Sequence, residues 1–136
     1  MHELDRCCFP PGIAYSKRTL RYFLALAEAE CLVATAGERI AGFILAELHA
    51  PFAHIITLDV SDRNRGQGVG SLLLRSLENV ISSRGGKTVL LQTAVDNQAG
   101  IGFWKRHGFT IAGTVKNYYL GRIDAYEMRK RLDAGT

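Results

Sequence analysis

The chain has 136 residues, of which 47% are hydrophobic and 22% are charged, and its formal net charge at pH 7 is +4. This length predicts one domain, residues 1–136, with a single continuous core. The composition is that of a soluble globular protein, and no apolar run reaches the roughly 18 residues of a membrane span, so a membrane protein is excluded.

The segment Met1–Phe9 contains Glu3 and Asp5, so it is not predicted to be a secretion signal, which needs an apolar stretch after a basic start. Two of the three cysteines, Cys7 and Cys8, are adjacent, which makes a poor disulfide framework and gives no metal-ligand spacing. We therefore expect no metal and a reducing, cytoplasmic location.

The excess of basic residues could suit a nucleic acid, but these residues are spread along the chain without interleaved aromatic side chains. No nucleic-acid partner is therefore predicted. A solvated basic face is the simplest explanation, and a polyphosphate ligand is the better specific one.

The first half of the chain is predicted to form one helix and three strands. Leu20–Ala29 is rich in helix formers. Cys31–Ala36 and Arg39–Leu48 are apolar, β-rich runs separated by Gly37-Glu38, which predicts a hairpin. After the break at Pro51, His54–Val60 is predicted to be a third strand.

Gly70–Ser83 has apolar residues at helical spacing and is followed by Gly85, so an amphipathic helix is predicted that ends at a glycine cap. The apolar centre of Lys87–Ala94 predicts a strand buried on both faces. Asn97 offers cap chemistry for a short helix that extends to about His107.

The end of the chain is predicted to form two strands, Phe109–Lys116 and Ala125–Leu132, around a loop over Asn117–Asp124. The order of elements is mixed α/β, with one hairpin near each end. This order differs from the regular βαβ alternation of a doubly wound fold.

The segment Thr57–Leu74 carries the chemistry, because an extended run leads into glycines at 66, 68 and 70 and then into a helix. Such a junction exposes unpaired backbone N–H groups at the positive end of a helix. Glycines let the backbone approach a ligand closely, and Arg65 can add a charged contact. The pattern predicts a pocket for phosphate groups.

Two common nucleotide motifs do not match this turn. A P-loop requires Lys followed by Ser or Thr after the glycines, and neither pair is present. A dinucleotide fingerprint requires a third glycine where Ser71 stands and an acidic residue at the end of a second strand, whereas Glu78 lies within the predicted helix.

The run from Arg65 to Gly70 resembles the R-x-x-G-x-G pyrophosphate motif of the GNAT N-acetyltransferase superfamily. The strand His54–Val60 looks like that family's fourth strand, and Asn97 to Phe109 is similar to its N-x-x-A-[IR]-x-[LF]-Y-x-x-x-G-F motif. The resemblance covers the chain from about Leu20 onward.

The resemblance implies an α/β (α+β) fold with a mixed central sheet of about six to seven strands, splayed at its centre to bind acyl-CoA. It also implies that acetyl-CoA is the cosubstrate. The residues then expected to bind it are Leu58, Val60, Arg65, Gly66, Gln67, Gly68, Val69, Gly70, Ser71, Asn97 and Trp104.

Lys116–Tyr119 and Asp124–Met128 are similar to the tail of peptide N-terminal acetyltransferases, a group that includes the ribosomal-protein-alanine acetyltransferases. The resemblance implies transfer of an acetyl group to a protein or peptide α-amine. It also implies that Tyr118 and Tyr119 hold the substrate backbone, although simple packing of an edge loop is the alternative.

The chain departs from the family at two positions: Trp104 stands where many relatives have a tyrosine acid, and Gln92 where many have a glutamate base. We therefore expect His54 to act as the base, because an imidazole gains and loses a proton near neutral pH. Glu47 and His49 are second choices for the base.

For the acid that protonates the departing thiolate we name Tyr119. Water could serve as acid or base, because an α-amine titrates at about 8. The departures leave two alternatives open: an acetyltransferase for small-molecule amines, or an acyl-CoA sensor that has lost catalysis.

The family fold usually begins with a strand, but Met1–Asp5 resembles its first helix, so the first strand is expected to be missing. The sheet edge left exposed would favour pairing with a second copy of the chain, and a homodimer is therefore expected to be possible.

Overall fold

The computed structural model describes residues 2–6, 29–36, 39–61, 68–119 and 123–132. These residues form seven strands and two helices. In chain order they are β1 (His2–Arg6), β2 (Ala29–Ala36), β3 (Arg39–His49), β4 (Phe52–Val60), α1 (Val69–Ser83), β5 (Thr88–Ala94), α2 (Gln98–Arg106), β6 (Thr110–Tyr119) and β7 (Ile123–Arg131). Neither described helix is long and apolar enough to cross a membrane.

The seven strands form one sheet in the order β1-β2-β3-β4-β5-β7-β6. Only β4 and β5 are parallel neighbours, and the other five pairs are antiparallel. The predicted mixed sheet is therefore confirmed. The helix predicted over Leu20–Ala29 and the turn at Gly37-Glu38 lie outside the described residues, except that Ala29 is the first residue of β2.

The expectation that the first strand is missing is wrong. His2–Arg6 is a strand antiparallel to β2, with His2 opposite Ala36 and Arg6 opposite Leu32. Five residues are too few to stabilise a helix by themselves, whereas pairing with β2 satisfies their backbone groups on one side. Because β1 covers β2, the edge that was expected to bind a second copy is not exposed.

Cys31 also departs from expectation. It lies on β2, is 6% exposed, and is disulfide-bonded. The adjacent pair among the three cysteines had argued against a disulfide.

Most predicted elements of the second half are confirmed. Helix α1 ends at Ser83, Arg84 is its C-cap residue, and the next residue, Gly85, has a φ of +85°. Asn97 caps α2, since its Oδ1 accepts a hydrogen bond from the Gly100 N–H at 3.0 Å. Gly108, with a φ of +92°, follows the C-cap residue His107.

Strands β5 to β7 differ from expectation in two respects. Alternate β5 residues, Val89, Leu91 and Thr93, are buried, while the residues between them are only half-buried, so one face is covered more fully than the other. The predicted loop over 117–124 is shorter than expected, because β6 extends to Tyr119 and pairs there with Ile123 of β7.

Helix α1 supplies one side of the main core. Its apolar stripe packs on the sheet, and the buried residues of that stripe are Val69, Leu73, Leu74, Leu77 and Ile81. A second, smaller cluster on the opposite face of the sheet contains Cys31, Val33, Phe43 and Leu45. The sheet therefore separates a large helix-covered core from a small one.

The sheet opens between β4 and β5. These strands pair at only three positions, from Phe52 opposite Thr88 to His54 opposite Leu90. Just beyond this point the β3–β4 register shifts and leaves Ile56 as an extra residue on β4. A bulge bends its strand, so β4 continues alongside β3 but away from β5. Beyond His54, β5 no longer pairs with β4, and among the described strands none takes its place on that side.

Candidate functional site

A cleft of about 650 Å³ lies where β4 leaves β5. Its walls are the end of β4, the first turn of α1, and α2. Eight residues expected to bind the cosubstrate line it: Leu58, Val60, Gly68, Val69, Gly70, Ser71, Asn97 and Trp104. The other three, Arg65, Gly66 and Gln67, lie outside the described residues. The eight thus come from three separate elements and meet in one place.

Five lining residues were not predicted: Asp59, Ala99, Gly100, Phe103 and Arg106. A local signal existed for two of them, because Gly100 and Phe103 stand at fixed positions of the motif that begins at Asn97. Asp59 lies between two predicted residues on β4. Arg106 adds a positive charge at the exposed end of α2.

The first turn of α1 faces the cleft with its backbone donors. Gly68 caps the helix with a φ of +79°, and the first N–H to bond within the helix is that of Leu72, which donates to the Gly68 carbonyl at 2.9 Å. No acidic side chain stands in this turn, and no described side chain caps it. Because the preceding N–H groups carry the positive end of the helix dipole, this turn suits an anionic group.

Gly70 allows α1 and α2 to approach each other at the cleft. A Cβ atom at this position would lie 3.2 Å from Cε1 of Phe103 and 3.7 Å from Cγ2 of Val60. Any larger side chain would have to displace the Phe103 ring or fill the cleft. The absence of a side chain therefore keeps the cleft open between the two helices.

The apolar wall of the cleft is aromatic. Trp104 is 8% exposed, and its ring lies edge-on to Phe103, with centroids 5.0 Å apart, and to Phe109, with centroids 5.4 Å apart. This packing explains why an indole can replace the phenol of many relatives: the ring fills space in the core as well as lining the cleft.

The base predicted from the sequence contacts the position where many relatives have a glutamate. His54 Nε2 lies 2.6 Å from Gln92 Oε1. An amide oxygen only accepts hydrogen bonds, so Nε2 carries a hydrogen and donates it. In the neutral ring Nδ1 is then the free acceptor, which is the atom able to take a proton.

Glu47 is adjacent to this pair, because it is the register partner of His54 on β3. Directly opposed residues of antiparallel strands project to the same face, so Glu47 and His54 are neighbours. His49 Nε2 lies 3.3 Å from Glu47 Oε2 and is more exposed. The structure thus brings together all three residues named as possible bases, at the point where β4 and β5 separate.

None of these three side chains lines the 650 Å³ cleft. Glu47 follows Phe43 and Leu45 at alternating positions of β3, so Glu47, His49 and His54 lie on the face of the smaller core cluster.

Of the two tyrosines predicted to hold the substrate, Tyr118 lies on β6 and is 46% exposed. Only the backbone of Tyr119 is described, paired with Ile123.

Comparison with known proteins gives one consistent result. The model of the acetyltransferase (GNAT) family matches residues 1–109. N-alpha-acetyltransferase 30 of Schizosaccharomyces pombe is 31% identical over 117 residues, which are 82% of this chain and 78% of that protein.

Solved structures agree in fold. The ribosomal-protein-S18-alanine N-acetyltransferase from Escherichia coli superposes with a TM-score of 0.86 at 21% identity, covering 100% of this chain and 97% of that one. A putative streptothricin acetyltransferase from Bacillus anthracis in complex with acetyl coenzyme A has a TM-score of 0.74 at 22% identity, covering 83% and 68%. At these identities the likeness establishes the fold.

Proposed function

The chain belongs to the acetyltransferase (GNAT) family, and from this premise we propose that it transfers an acetyl group from acetyl-CoA to the α-amine of a protein or peptide N-terminus. The observation that supports acetyl-CoA is the cleft itself, which joins the N-terminal end of α1 to the stretch of β4 that has separated from β5. The support for an α-amine comes from the relative, which is named an N-alpha-acetyltransferase. We keep the cytoplasm as the proposed location, although the disulfide at Cys31 favours an oxidising compartment, and cell fractionation would distinguish the two.

The pyrophosphate and the pantetheine arm of acetyl-CoA each have a matching surface in the proposed arrangement. The pyrophosphate would accept hydrogen bonds from the first turn of α1, with Arg106 adding positive charge. The amide groups of the pantetheine arm would pair with the β5-facing edge of β4 near Leu58 and Val60, as an added strand does. Trp104 and Phe103 would cover the apolar stretches of the arm.

In the proposed reaction the amine nitrogen attacks the thioester carbonyl, the new C–N bond forms, and the C–S bond breaks. A backbone N–H of β4 near Leu58 would stabilise the carbonyl oxygen as it becomes negative. His54 Nδ1 would take the proton that the ammonium loses, since Gln92 holds the hydrogen on Nε2. Tyr119 or water would protonate the departing thiolate.

The binding step can be followed through Trp104, because it is the single tryptophan of the chain and it lines the cleft. We expect acetyl-CoA to change the tryptophan emission and to bind with a stoichiometry near one in calorimetry. NAD and ATP serve as controls. Preferential binding of either control would contradict the proposal at its first step.

The acceptor can be identified by thiol release in the presence of amines. We expect peptides beginning with Ala, Ser or Met to be acetylated faster than polyamines or amino sugars. A preference for small amines would replace the peptide with a small-molecule acceptor. Firm binding of acetyl-CoA with no turnover of any amine would instead indicate a sensor.

Ser71→Asp separates a binding role of the α1 end from a structural one. A carboxylate in the first turn of a helix is stabilising by about 0.3–1 kcal/mol, so the variant should unfold at the same temperature as the parent protein or higher. The same charge repels phosphate, so the Kd for acetyl-CoA should rise about tenfold or more.

The matched control is Ser82→Asp, in the last turn of α1 and exposed. There the carboxylate faces the negative end of the helix, so stability should fall slightly while acetyl-CoA binding is retained. An unchanged Kd in Ser71→Asp would mean that phosphate does not occupy the α1 end.

A further inference from the structure

A hydrogen bond joins the two helical walls of the cleft. His107, which follows α2, has its Nε2 atom 2.8 Å from the Ser71 hydroxyl oxygen in the first turn of α1. Ser71 lines the cleft, whereas His107 does not and instead lies behind it with its ring 4.6 Å from the Phe103 ring centroid. His107 is therefore linked to the cleft by a hydrogen bond to Ser71 and by a ring contact with Phe103.

The chemistry of a hydroxyl decides what this bond does. Ser71 has one hydrogen to donate, and phosphate oxygens at the cleft can only accept. If His107 Nε2 is an acceptor, the hydroxyl hydrogen of Ser71 points at the imidazole and cannot be donated to the ligand. If Nε2 carries a hydrogen and donates it to the Ser71 oxygen, the serine hydrogen is free to point into the cleft.

We propose that His107 is a positioning residue which, by donating from Nε2 to the Ser71 oxygen, directs the Ser71 hydroxyl hydrogen to a phosphate group of bound CoA. The inference rests on the proposed function. It gives a role in the cofactor site to a residue that touches no ligand. The expected consequence is that His107 governs the affinity for CoA, with the loss in its variants falling on KM for acetyl-CoA rather than on kcat.

The surroundings of His107 make this role sensitive to pH. Burial lowers the pKa of its imidazole below the ordinary 6.5, and the nearby Lys130 lowers it further. Glu78 acts in the opposite direction, and Arg106 and Arg75 add to the lowering. His107 is therefore neutral at pH 7. A neutral ring can donate to the Ser71 oxygen only in the tautomer that carries its hydrogen on Nε2.

Below the lowered pKa both ring nitrogens carry hydrogen and the ring is positive. The Nε2 donor is then assured, and the added charge lies near the phosphate site. Binding of CoA should therefore become tighter through His107 as the pH falls through this lowered pKa, and bound CoA should raise the pKa of His107. A rise in pH above neutrality should not change this contribution, because the ring has already lost its second proton.

The tautomer can be observed without any substitution. Long-range proton–nitrogen correlation spectra of the protein, recorded with and without CoA, distinguish Nε2–H from Nδ1–H and report the pKa of each histidine. We expect the Nε2–H form of His107 in the complex and a higher pKa than in the free protein. An Nδ1–H tautomer in the CoA complex would overturn the proposal.

Two variants test the hydrogen bond between His107 and Ser71 through its effect on the affinity for CoA. His107→Gln retains an N–H donor that does not titrate, and His107→Phe retains a ring against Phe103 but has no donor. The expected Kd for CoA in calorimetry at pH 7 is within about twofold of the parent for Gln and about three- to tenfold higher for Phe, the worth of one hydrogen bond. In a Ser71→Ala background His107→Phe should have no further effect.

The dependence of CoA binding on pH is measured for the parent protein and for His107→Gln. The variant is the reference, because titration of the CoA phosphates affects both proteins equally. The ratio of the Kd of this variant to that of the parent should be constant above pH 7 and should rise as the pH falls through the lowered pKa of His107. An equal effect of His107→Phe with and without Ser71 would overturn the proposal. Failure of the parent protein to bind CoA would instead refute the proposed function.

Discussion

His54→Ala is expected to lower turnover about a hundredfold or more at pH 7, with a much smaller loss at pH 9. At pH 7 most of an α-amine with a pKa of about 8 is protonated, so a base must remove its proton before attack. At pH 9 most of the amine is already neutral and the base has little to do. Steady-state kinetics with a peptide acceptor at both pH values would measure this difference.

Two variants define what that loss means. His49→Ala removes a more exposed imidazole that also contacts Glu47, and its turnover should change less than threefold. Gln92→Leu removes the acceptor of the 2.6 Å hydrogen bond and should cause an intermediate loss, because the His54 ring then samples both tautomers. Equal losses for His54→Ala at pH 7 and pH 9 would remove His54 as the base.

Trp104→Ala is expected to lower the free energy of unfolding by about 3–5 kcal/mol, the range for removal of a buried aromatic side chain. Trp104 belongs to the main core and touches both Phe103 and Phe109, so its loss leaves a cavity beside these two rings. Because domains of this size are stable by only about 5–15 kcal/mol, part of the protein would be unfolded at 37 °C. Urea denaturation followed by circular dichroism measures the effect.

Trp104→Phe keeps a ring in the same place and should cost less than about half as much as Trp104→Ala. Phe52→Ala provides the matched control, since Phe52 is an aromatic residue that is 48% exposed, and its loss should cost less than about 1 kcal/mol. If Trp104→Ala were as stable as Phe52→Ala, the indole would not be part of the core. Its place in the cleft wall would then be in doubt as well.

Trp104 has one role in the core and one in the cleft wall. The two roles can be separated by comparing the stability of these variants with their affinity for acetyl-CoA. Trp104→Phe retains an apolar ring against the cleft, so its KM for acetyl-CoA should rise only a few-fold. A loss of binding in Trp104→Phe without a loss of stability would assign a specific contact to the indole N–H.

The sequence by itself determined the features that depend on neighbours within a few residues. Helix α1 follows from apolar spacing, the cap of α2 from Asn97, and the positive φ of Gly68 and Gly108 from the conformational freedom of glycine. The motif around these glycines also indicated the family. Each of these features is local, because the hydrogen bonds that stabilise it join residues within about one turn of the chain.

Only the tertiary structure decided the features that depend on distant partners. His2–Arg6 is a strand because β2 offers it an edge. The bulge at Ile56 opens the sheet where three neighbouring strands meet. His54 and Gln92 are 38 residues apart in sequence, and Ser71 and His107 are 36 apart, yet each pair forms a hydrogen bond. Residue types predict local backbone shape, whereas contact between remote side chains requires the register of the whole sheet.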